Sequence, residues 1–216
     1  LDSRKGRFRS WIRMCGILRA ERIAKSMGNL KDEGLKAEGG SYTLRPMMQI
    51  LLTNGTLLDP SQKLEAAAEL LLVDGQVAEI GIGLRGHAPD AQVLDCSGLF
   101  ITPGLIDIHV HFREPGQEGK ETIATGAAAA VAGGVTPVCC LPQTVPALDD
   151  DTQIEFVYTK AREANLCHVL PIGAITKGRK GSELAEMALM HAAGAVGFSD
   201  DGVGVGSPAV MLKALQ

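Results

Sequence analysis

Two histidines separated by one residue are the first feature of this sequence that indicates chemistry. His109 and His111 stand at the end of an apolar run that begins at Leu105, and a loop rich in proline and glycine follows them. In a β-strand, residues i and i+2 point to the same side, so the two imidazoles can converge on one ion. A bare His-x-His pair often arises by chance, but its place at a strand end favours a site for a divalent metal such as Zn²⁺.

Arg113 and Gln143 add polar groups of a kind that fits a substrate. Arg113 lies two residues beyond His111, and a guanidinium beside a metal ion is favourable where an anionic group of a substrate lies between the two cations. Gln143 follows a second apolar run and offers an amide carbonyl and amide donors, which suit a ureide or amide ring. The alternative for each is an ordinary solvated loop side chain. We consider that alternative weaker for Arg113 and equal for Gln143.

A pair of carboxylates, Asp200 and Asp201, ends a later apolar run just before Gly202. A carboxylate there can complete the metal site if its strand ends beside the strand that carries the histidines. Asp-Gly is also ordinary turn chemistry, so the pair alone leaves both interpretations open. Two other histidines, His168 and His191, do not stand at the carboxyl end of a strand, and we assign them to structural positions. We expect His87 to lie in a loop.

The elements that position these residues follow one pattern from residue 104 onward. Apolar strand-like runs alternate with helix-like runs, which predicts parallel strands with helices between them. Four such units make half of a (β/α)₈ barrel, in which the carboxyl ends of the strands carry the site. An open doubly wound sheet is the competing architecture, but it commonly has a Gly-rich phosphate loop after its first strand, and none follows Val110. The expected strands are residues 105–110, 135–141, 169–175 and 195–198, and the expected helices are residues 124–132, 151–164, 182–193 (with Ser182 as its N-cap) and 208–215.

Residues 47–103 show a different pattern, in which short apolar runs alternate with frequent turns. Turn dipeptides such as Asp74-Gly75 separate these runs, which predicts a small β-sandwich-like module that ends at about residue 103. Residues 1–46 carry many basic groups but lack the apolar core of a secretory signal. We expect them to be a non-native or disordered extension, with the natural start at Met47 or Met48.

Composition argues against two classes of partner. The formal net charge is −4, from 21 basic and 25 acidic residues, so the sequence lacks the electrostatic footprint of a nucleic-acid-binding protein. No apolar run reaches the roughly 18 residues that a membrane-spanning helix needs. The five cysteines are odd in number and lack zinc-finger spacing, so we expect reduced thiols in a cytoplasmic protein.

Three segments together resemble one family. Residues 108–116 read Ile-His-Val-His-Phe-Arg-Glu-Pro-Gly, residues 170–181 read Leu-Pro-Ile-Gly-Ala-Ile-Thr-Lys-Gly-Arg-Lys-Gly, and residues 197–202 read Gly-Phe-Ser-Asp-Asp-Gly. Their combination resembles the signatures of class I dihydroorotases, which are metal-dependent cyclic amidohydrolases of the amidohydrolase superfamily. The resemblance runs from about Met48 to the last residue.

The resemblance implies reversible hydrolysis of dihydroorotate to N-carbamoyl-L-aspartate, a step of pyrimidine synthesis. His109, His111 and Asp201 would then be ligands of one or two zinc ions, and Arg113 would bind the substrate carboxylate. Gln143 stands where the family has a substrate-contacting Asn, and we expect that Gln143→Asn in a completed enzyme would hold or raise activity. Pro137 stands where the family has Thr.

The resemblance also implies that the chain is an N-terminal fragment. The family takes its general base and further histidine ligands from later barrel strands, which would lie beyond Gln216. We therefore expect the chain as written to be inactive alone.

Two other functions stay open. A hydantoinase or allantoinase would share the fold and the chemistry, but many of these enzymes use a carboxylated lysine near the fourth strand, where this sequence offers aspartate. A non-catalytic homologue that acts as a scaffold for aspartate transcarbamoylase is the third hypothesis. The intact pair His109 and His111 argues against a scaffold, because a scaffold needs no metal ligands. Gln143 leaves this hypothesis open, because it departs from the Asn of the family. Self-association into a homo-oligomer is compatible with each hypothesis, and metal content separates the enzymes from the scaffold.

Overall fold

A computed structural model describes residues 48–216 and divides the chain into two compact units, with the boundary between Gly104 and Leu105. The expectations for residues 1–46 and for Met47 lie outside the described residues. None of the described helices is long and apolar enough to cross a membrane.

The first unit, described over residues 48–104, consists of short strands in two sheets. One sheet has the order β5-β4-β1-β6 and the other has the order β3-β2-β7. The predicted turn at Asp74 and Gly75 joins β4 to β5, and both residues have positive φ, as a two-residue hairpin turn requires. Single turns of 3-10 helix span Pro60–Gln62 and Leu84–Gly86. The strands are β1 Gln49–Thr53, β2 Thr56–Asp59, β3 Leu64–Ala67, β4 Glu69–Val73, β5 Gln76–Gly81, β6 Gln92–Asp95 and β7 Phe100–Ile101.

Both faces of β4 are buried. Leu70 and Leu72 point into one apolar cluster, and Leu71 points into another on the opposite side. This follows from the alternation of side chains along a strand, and it explains why β4 is a continuous apolar run instead of an alternating one. Two strand pairs, β1 with β6 and β2 with β7, are parallel.

The second unit, residues 105–216, is a mixed α/β structure around a four-stranded sheet of order β11-β10-β9-β8. Every neighbouring pair in this sheet is parallel, so the prediction of parallel strands that alternate with helices is confirmed. A 3-10 turn spans Lys177–Arg179. The elements are β8 Leu105–Val110, α1 Ile123–Ala132, β9 Val135–Cys140, α2 Asp151–Ala164, β10 His168–Gly173, α3 Met187–Ala192, β11 Gly197–Phe198 and α4 Pro208–Ala214.

Three of the four helices begin at a residue whose side chain caps the first turn. Thr122, Asp150 and Ser207 each accept a hydrogen bond from a backbone N–H of the helix that follows, which satisfies a donor that the helix itself leaves free. The prediction that Ser182 caps the next helix is wrong, since α3 begins at Met187. Residues between these two instead pair with the chain after β10: Lys177 N–H donates to Glu183 O, and Ala185 N–H donates to Ile175 O.

The core of the second unit lies between the sheet and its helices. Val138 of β9, Ile154 and Val157 of α2, and Met190 of α3 are fully buried within one apolar cluster. Burial also raises the pKa of the Cys140 thiol to about 12, so this cysteine is an inert core residue.

Paired bulges explain how β9 accommodates Pro137 between two neighbouring strands. A proline has no backbone N–H to give to a ladder, and strands tolerate one at a bulge. Between the first two register partners, β9 has one residue more than β8, and this stretch contains Pro137. Between the second and the third register partners, β8 has one residue more than β9. The register partners are Leu105 with Val135, Asp107 with Val138, and Val110 with Cys140.

Candidate metal centre

Three side chains from opposite edges of the parallel sheet converge. One ligand atom each from His109, His111 and Asp201 can be chosen so that all lie within 4.8 Å of one another. The histidines belong to the end of β8, and the aspartate follows β11. In a flat sheet, three strand spacings of about 4.8 Å would hold these strands about 14 Å apart. The sheet therefore curls, and this curl brings the carboxyl ends of its outer strands together.

The distances within this cluster fit a shared metal ion. Nε2 of His109 lies 3.6 Å from Oδ1 of Asp201, and Nε2 of His111 lies 3.4 Å from Oδ2 of the same carboxylate. Ligands about 2.0–2.2 Å from one tetrahedral zinc ion lie roughly 3.3–3.6 Å apart. Imidazole nitrogen and carboxylate oxygen are both common zinc ligands. The residues present therefore fit a zinc ion in both spacing and chemistry.

His111 has the environment of a ligand and lacks the contacts of a structural histidine. Its side chain is 25% exposed, and its Nδ1 is buried without a hydrogen-bond partner within residues 48–216. Burial, followed by the nearby Arg113 guanidinium, holds the pKa of His111 below its usual value. The neutral imidazole is the form that binds a metal.

Local backbone geometry sets the direction of His109. The extra residue of β8 falls between Asp107 and Val110, and a bulge of this kind turns side chains away from simple alternation. Asp107 Oδ1 accepts a hydrogen bond of 3.0 Å from the His109 backbone N–H, which fixes the bulged stretch. The His109 side chain is 61% exposed, so this side of the cluster is open to solvent.

Arg113 and Gln143 lie in contact, although 30 residues separate them. The Arg113 guanidinium donates a hydrogen bond of 3.0 Å to Gln143 Oε1. Arg113 lies three residues beyond Val110, the last residue of β8, and has a positive φ of 62°, so its direction comes from the loop backbone. The hydrogen bond uses the Gln143 carbonyl oxygen as acceptor and leaves its amide nitrogen as a donor.

Two further contacts hold the loop that carries Arg113. Val145 N–H donates to Pro115 O at 3.0 Å, which ties this loop to the one after β9. Glu114 accepts from Ile123 N–H at 2.8 Å, at the start of α1. A carboxylate is favourable at a helix N-terminus because free N–H groups and the helix dipole point toward it. The two residues that follow Arg113 therefore anchor the loop, one to the start of α1 and the other to the loop after β9.

The structure separates the two adjacent aspartates. Asp200 is 3% exposed, and its carboxylate accepts hydrogen bonds from the backbone N–H groups of Ile175 and Thr176 and from the Thr176 hydroxyl. Asp201 points instead at the two histidines. Of the two interpretations of the Asp-Asp-Gly sequence, Asp200 thus has a structural environment and Asp201 belongs to the candidate site.

A profile of the family described as dihydro-orotase-like matches residues 98–216, which is more than half of the chain. The chain belongs to the dihydro-orotase-like family. All five residues of the candidate site lie inside the matched segment.

Curated relatives within the dihydro-orotase-like family cover the chain well but extend beyond it. The dihydroorotase of Aquifex aeolicus is 44% identical over 170 residues, which are 79% of this chain and 40% of the relative. The dihydroorotase of Geotalea daltonii is 46% identical over 169 residues, which are 78% of this chain and 40% of the relative. The chain thus spans about 40% of the length of these relatives.

Solved structures show the same fold. An L-hydantoinase from Arthrobacter aurescens superposes with a TM-score of 0.61 at 22% identity, over 79% of this chain and 38% of the other. An N-acyl-D-glutamate deacylase from Bordetella bronchiseptica, solved with zinc, superposes with a TM-score of 0.54 at 19% identity, over 79% of this chain and 42% of the other. At these identities the likeness concerns the fold alone.

Sequence reasoning on this dihydro-orotase-like chain missed Arg179. Its guanidinium donates from Nε to the backbone carbonyl of Asp200 at 3.0 Å and from a terminal nitrogen to the carbonyl of Asp201. Nothing in its local sequence, Lys-Gly-Arg-Lys-Gly, marks it out from neighbouring basic residues. The other three described histidines lie outside the cluster: His87 in the first unit beside Glu79, His168 at the start of β10, and His191 in α3.

Proposed function

We propose that this chain is the metal- and substrate-binding part of a zinc-dependent dihydroorotase. The reaction is the reversible hydrolysis of (S)-dihydroorotate to N-carbamoyl-L-aspartate. The observation that carries the proposal is the joint geometry of the site. In a chain of this family, three zinc-type ligands converge beside a paired arginine and amide side chain. Dihydroorotate has the two matching features, a ring amide and a carboxylate.

The proposal includes the architecture. Residues 104–216 form the first half of a (β/α)₈ barrel, and residues 47–103 form a separate β-sandwich-like module. Support comes from the parallel order of β8 to β11, from the curl that brings His109 and Asp201 together, and from the fold of the hydantoinase neighbour. A barrel of this kind carries its site at the carboxyl ends of its strands.

Each side chain has a defined task in the proposed reaction. His109, His111 and Asp201 hold the metal, which when bound supplies Lewis-acid activation of water and of the ring carbonyl. Arg113 binds the substrate carboxylate through its free guanidinium N–H groups. Gln143 orients that guanidinium through Oε1 and offers its amide N–H groups to the same ligand.

The hydantoinase and scaffold alternatives make different demands on these residues. Hydantoin has no carboxylate, so it would leave Arg113 without an anionic partner beside the metal. Residues 197–202 also hold no lysine to serve as a carboxylated ligand. A scaffold for aspartate transcarbamoylase has no need of a converged His-His-Asp cluster. Each alternative therefore gives a different result in the binding experiment below.

The experiment is calorimetric titration of the zinc-loaded chain with dihydroorotate, N-carbamoyl-aspartate and hydantoin. We expect one or two zinc ions per chain and binding of the first two ligands but not of hydantoin. No turnover is expected from the 216 residues alone. Among the described residues the cluster has no third histidine and the site has no assigned general base, and a general base contributes about 10²–10⁴-fold to the rate. Hydantoin binding in preference to dihydroorotate would favour the hydantoinase, and a chain without zinc would favour the scaffold.

We place the protein in the cytoplasm.

Arg113 gives a direct test of substrate binding. Arg113→Ala removes a charge-assisted hydrogen bond of about 1.5–3 kcal/mol, so we expect the dissociation constant for dihydroorotate to rise about tenfold to hundredfold. The zinc content should stay unchanged. Arg162→Ala is the matched control, because Arg162 is an exposed arginine of α2 whose side chain contacts Thr159. Equal affinity for dihydroorotate in the two variants would contradict the role of Arg113.

A further inference from the structure

The backbone of Asp201 is held on both sides. Its N–H donates to the Ser199 hydroxyl at 3.1 Å, and its carbonyl accepts from the Arg179 guanidinium. The same guanidinium donates to the Asp200 carbonyl at 3.0 Å. One planar side chain thus bridges two consecutive carbonyls of the segment that carries the third ligand, a geometry that the fixed fork of arginine permits.

Asp200 anchors the same segment from the other direction. Its buried carboxylate binds the backbone of Ile175 and Thr176 at 2.9 and 3.0 Å. Thr176 is fully buried, and its hydroxyl also accepts from Gly181 N–H at 2.8 Å. These bonds fix the turn that carries Arg179 and the segment after β11 as one unit. Because Asp200 makes these bonds, Asp201 is the carboxylate of the segment that is directed at the histidines.

Arg179 occupies a backbone conformation that an arginine rarely adopts. Its φ is 56°, next to Gly178 with a φ of 59°. Residues with a Cβ are disfavoured in this left-handed region, where glycine is the ordinary choice. Strain of this kind persists where surrounding contacts compensate for it and often accompanies a functional site. The two carbonyl contacts of the side chain are the compensating interactions here.

We propose that Arg179 is a positioning residue of the metal site, which holds the Asp201 carboxylate at the distance that a shared ion requires. The inference rests on the proposed function, since it assumes that the cluster binds zinc. It makes Arg179 act through hydrogen bonds on the backbone and not through its charge. A cation beside a metal ion repels it, so a role through charge alone would weaken zinc binding. The two roles therefore predict opposite effects when the arginine is removed.

Arg179→Gly is the decisive variant. Glycine suits the positive φ, so we expect the fold to be retained or stabilised, while zinc affinity falls about tenfold to hundredfold, as for other residues that orient metal ligands. Zinc affinity is measured by competition with a chromophoric chelator, and folding is followed by circular dichroism. Arg179→Lys keeps the positive charge but loses the planar guanidinium that bridges the two carbonyls. Its zinc affinity should lie between those of the unaltered chain and Arg179→Gly. Arg162→Ala is again the control arginine.

The outcomes separate this inference from the proposed function. Unchanged or tighter zinc binding by Arg179→Gly overturns the positioning role and leaves the proposed function intact. Failure of the unaltered chain to bind zinc overturns both. If Arg179→Gly does not fold, Arg179→Lys decides: affinity equal to that of the unaltered chain rejects the role, and weakened affinity in a folded protein supports it. The Co²⁺-substituted protein gives a second readout, since its absorption spectrum should change in Arg179→Gly and not in Arg162→Ala.

Discussion

Replacing Asp201 by asparagine is expected to lower zinc affinity by roughly 10²–10³-fold. The carboxylate is the only anionic group in the His-His-Asp cluster that the described residues form, and its two oxygens face Nε2 of both histidines. Structural zinc sites bind with about 10–16 kcal/mol, so each of four ligands contributes roughly 2.5–4 kcal/mol. Asparagine keeps the shape but offers a weaker, neutral oxygen. Chelator competition with purified, metal-free protein measures the change.

Asp90 provides the control for this variant, and Asp200 provides a comparison. Asp90→Asn makes the same change in charge at an exposed position of the first unit, and it should leave zinc affinity unaltered. Asp200→Asn should lower thermal stability, because it weakens the buried acceptor of three hydrogen bonds. It is not a control for zinc affinity, because Asp200 anchors the segment that carries Asp201. Full zinc affinity in Asp201→Asn, or an equal loss in Asp90→Asn, would show that the ion binds elsewhere.

The approach of Asp201 to the histidines could be anticipated from the sequence because it depends on regular features. Apolar runs that alternate with helix-like runs predict parallel strands, and the carboxyl ends of parallel strands lie at one edge of a sheet. His109, His111 and Asp201 each stand at such an end. The residues alone left the choice between Asp200 and Asp201 open, and only the resemblance to dihydroorotases favoured Asp201. The choice depends on which carboxylate meets the backbone of Ile175 and Thr176, and no local pattern records that contact.

The features that the sequence did not reveal depend on distant pairing. The helix predicted from residue 182 begins at Met187, because the residues before Met187 pair with the chain after β10. No local pattern in the sequence records that pairing. The bulges of β8 and β9 reflect a register between strands. Arg179 lies in a stretch of basic residues whose roles differ only through what they contact. Local propensity therefore predicts elements well and tertiary partners poorly.

Gly116 lies in the loop after β8 that carries Arg113, and even a change to alanine there should have a large effect. Its φ is 88°, and a Cβ built on it would lie 1.8 Å from the Val145 carbonyl oxygen and 2.9 Å from the Val145 Cβ. The first of these atoms belongs to the backbone, so no side-chain rotation relieves the overlap. The loop after β8 must therefore move away from the loop after β9.

Gly116→Ala is thus expected to separate Arg113 from Gln143, because the movement breaks the bond from Val145 N–H to Pro115 O that lies beside the overlap. Strain at a positive φ costs about 1–3 kcal/mol and overpacking a similar amount, so we expect a loss of about 2–6 kcal/mol in stability. Each kcal/mol lowers Tm by about 2–4 °C at this size. Dihydroorotate should also bind about tenfold more weakly, while the ligands of the metal stay in place.

Gly119→Ala is the matched control for this prediction. Gly119 lies three residues along the same exposed loop, and a Cβ added there meets no atom within 4 Å. We therefore expect its Tm and its affinity for dihydroorotate to equal those of the unaltered chain. Thermal unfolding followed by circular dichroism, together with calorimetric titration, compares the two variants directly. Equal behaviour of Gly116→Ala and Gly119→Ala would mean that the loop after β8 adapts without moving Arg113, and the inference that this loop is rigidly anchored would then be wrong.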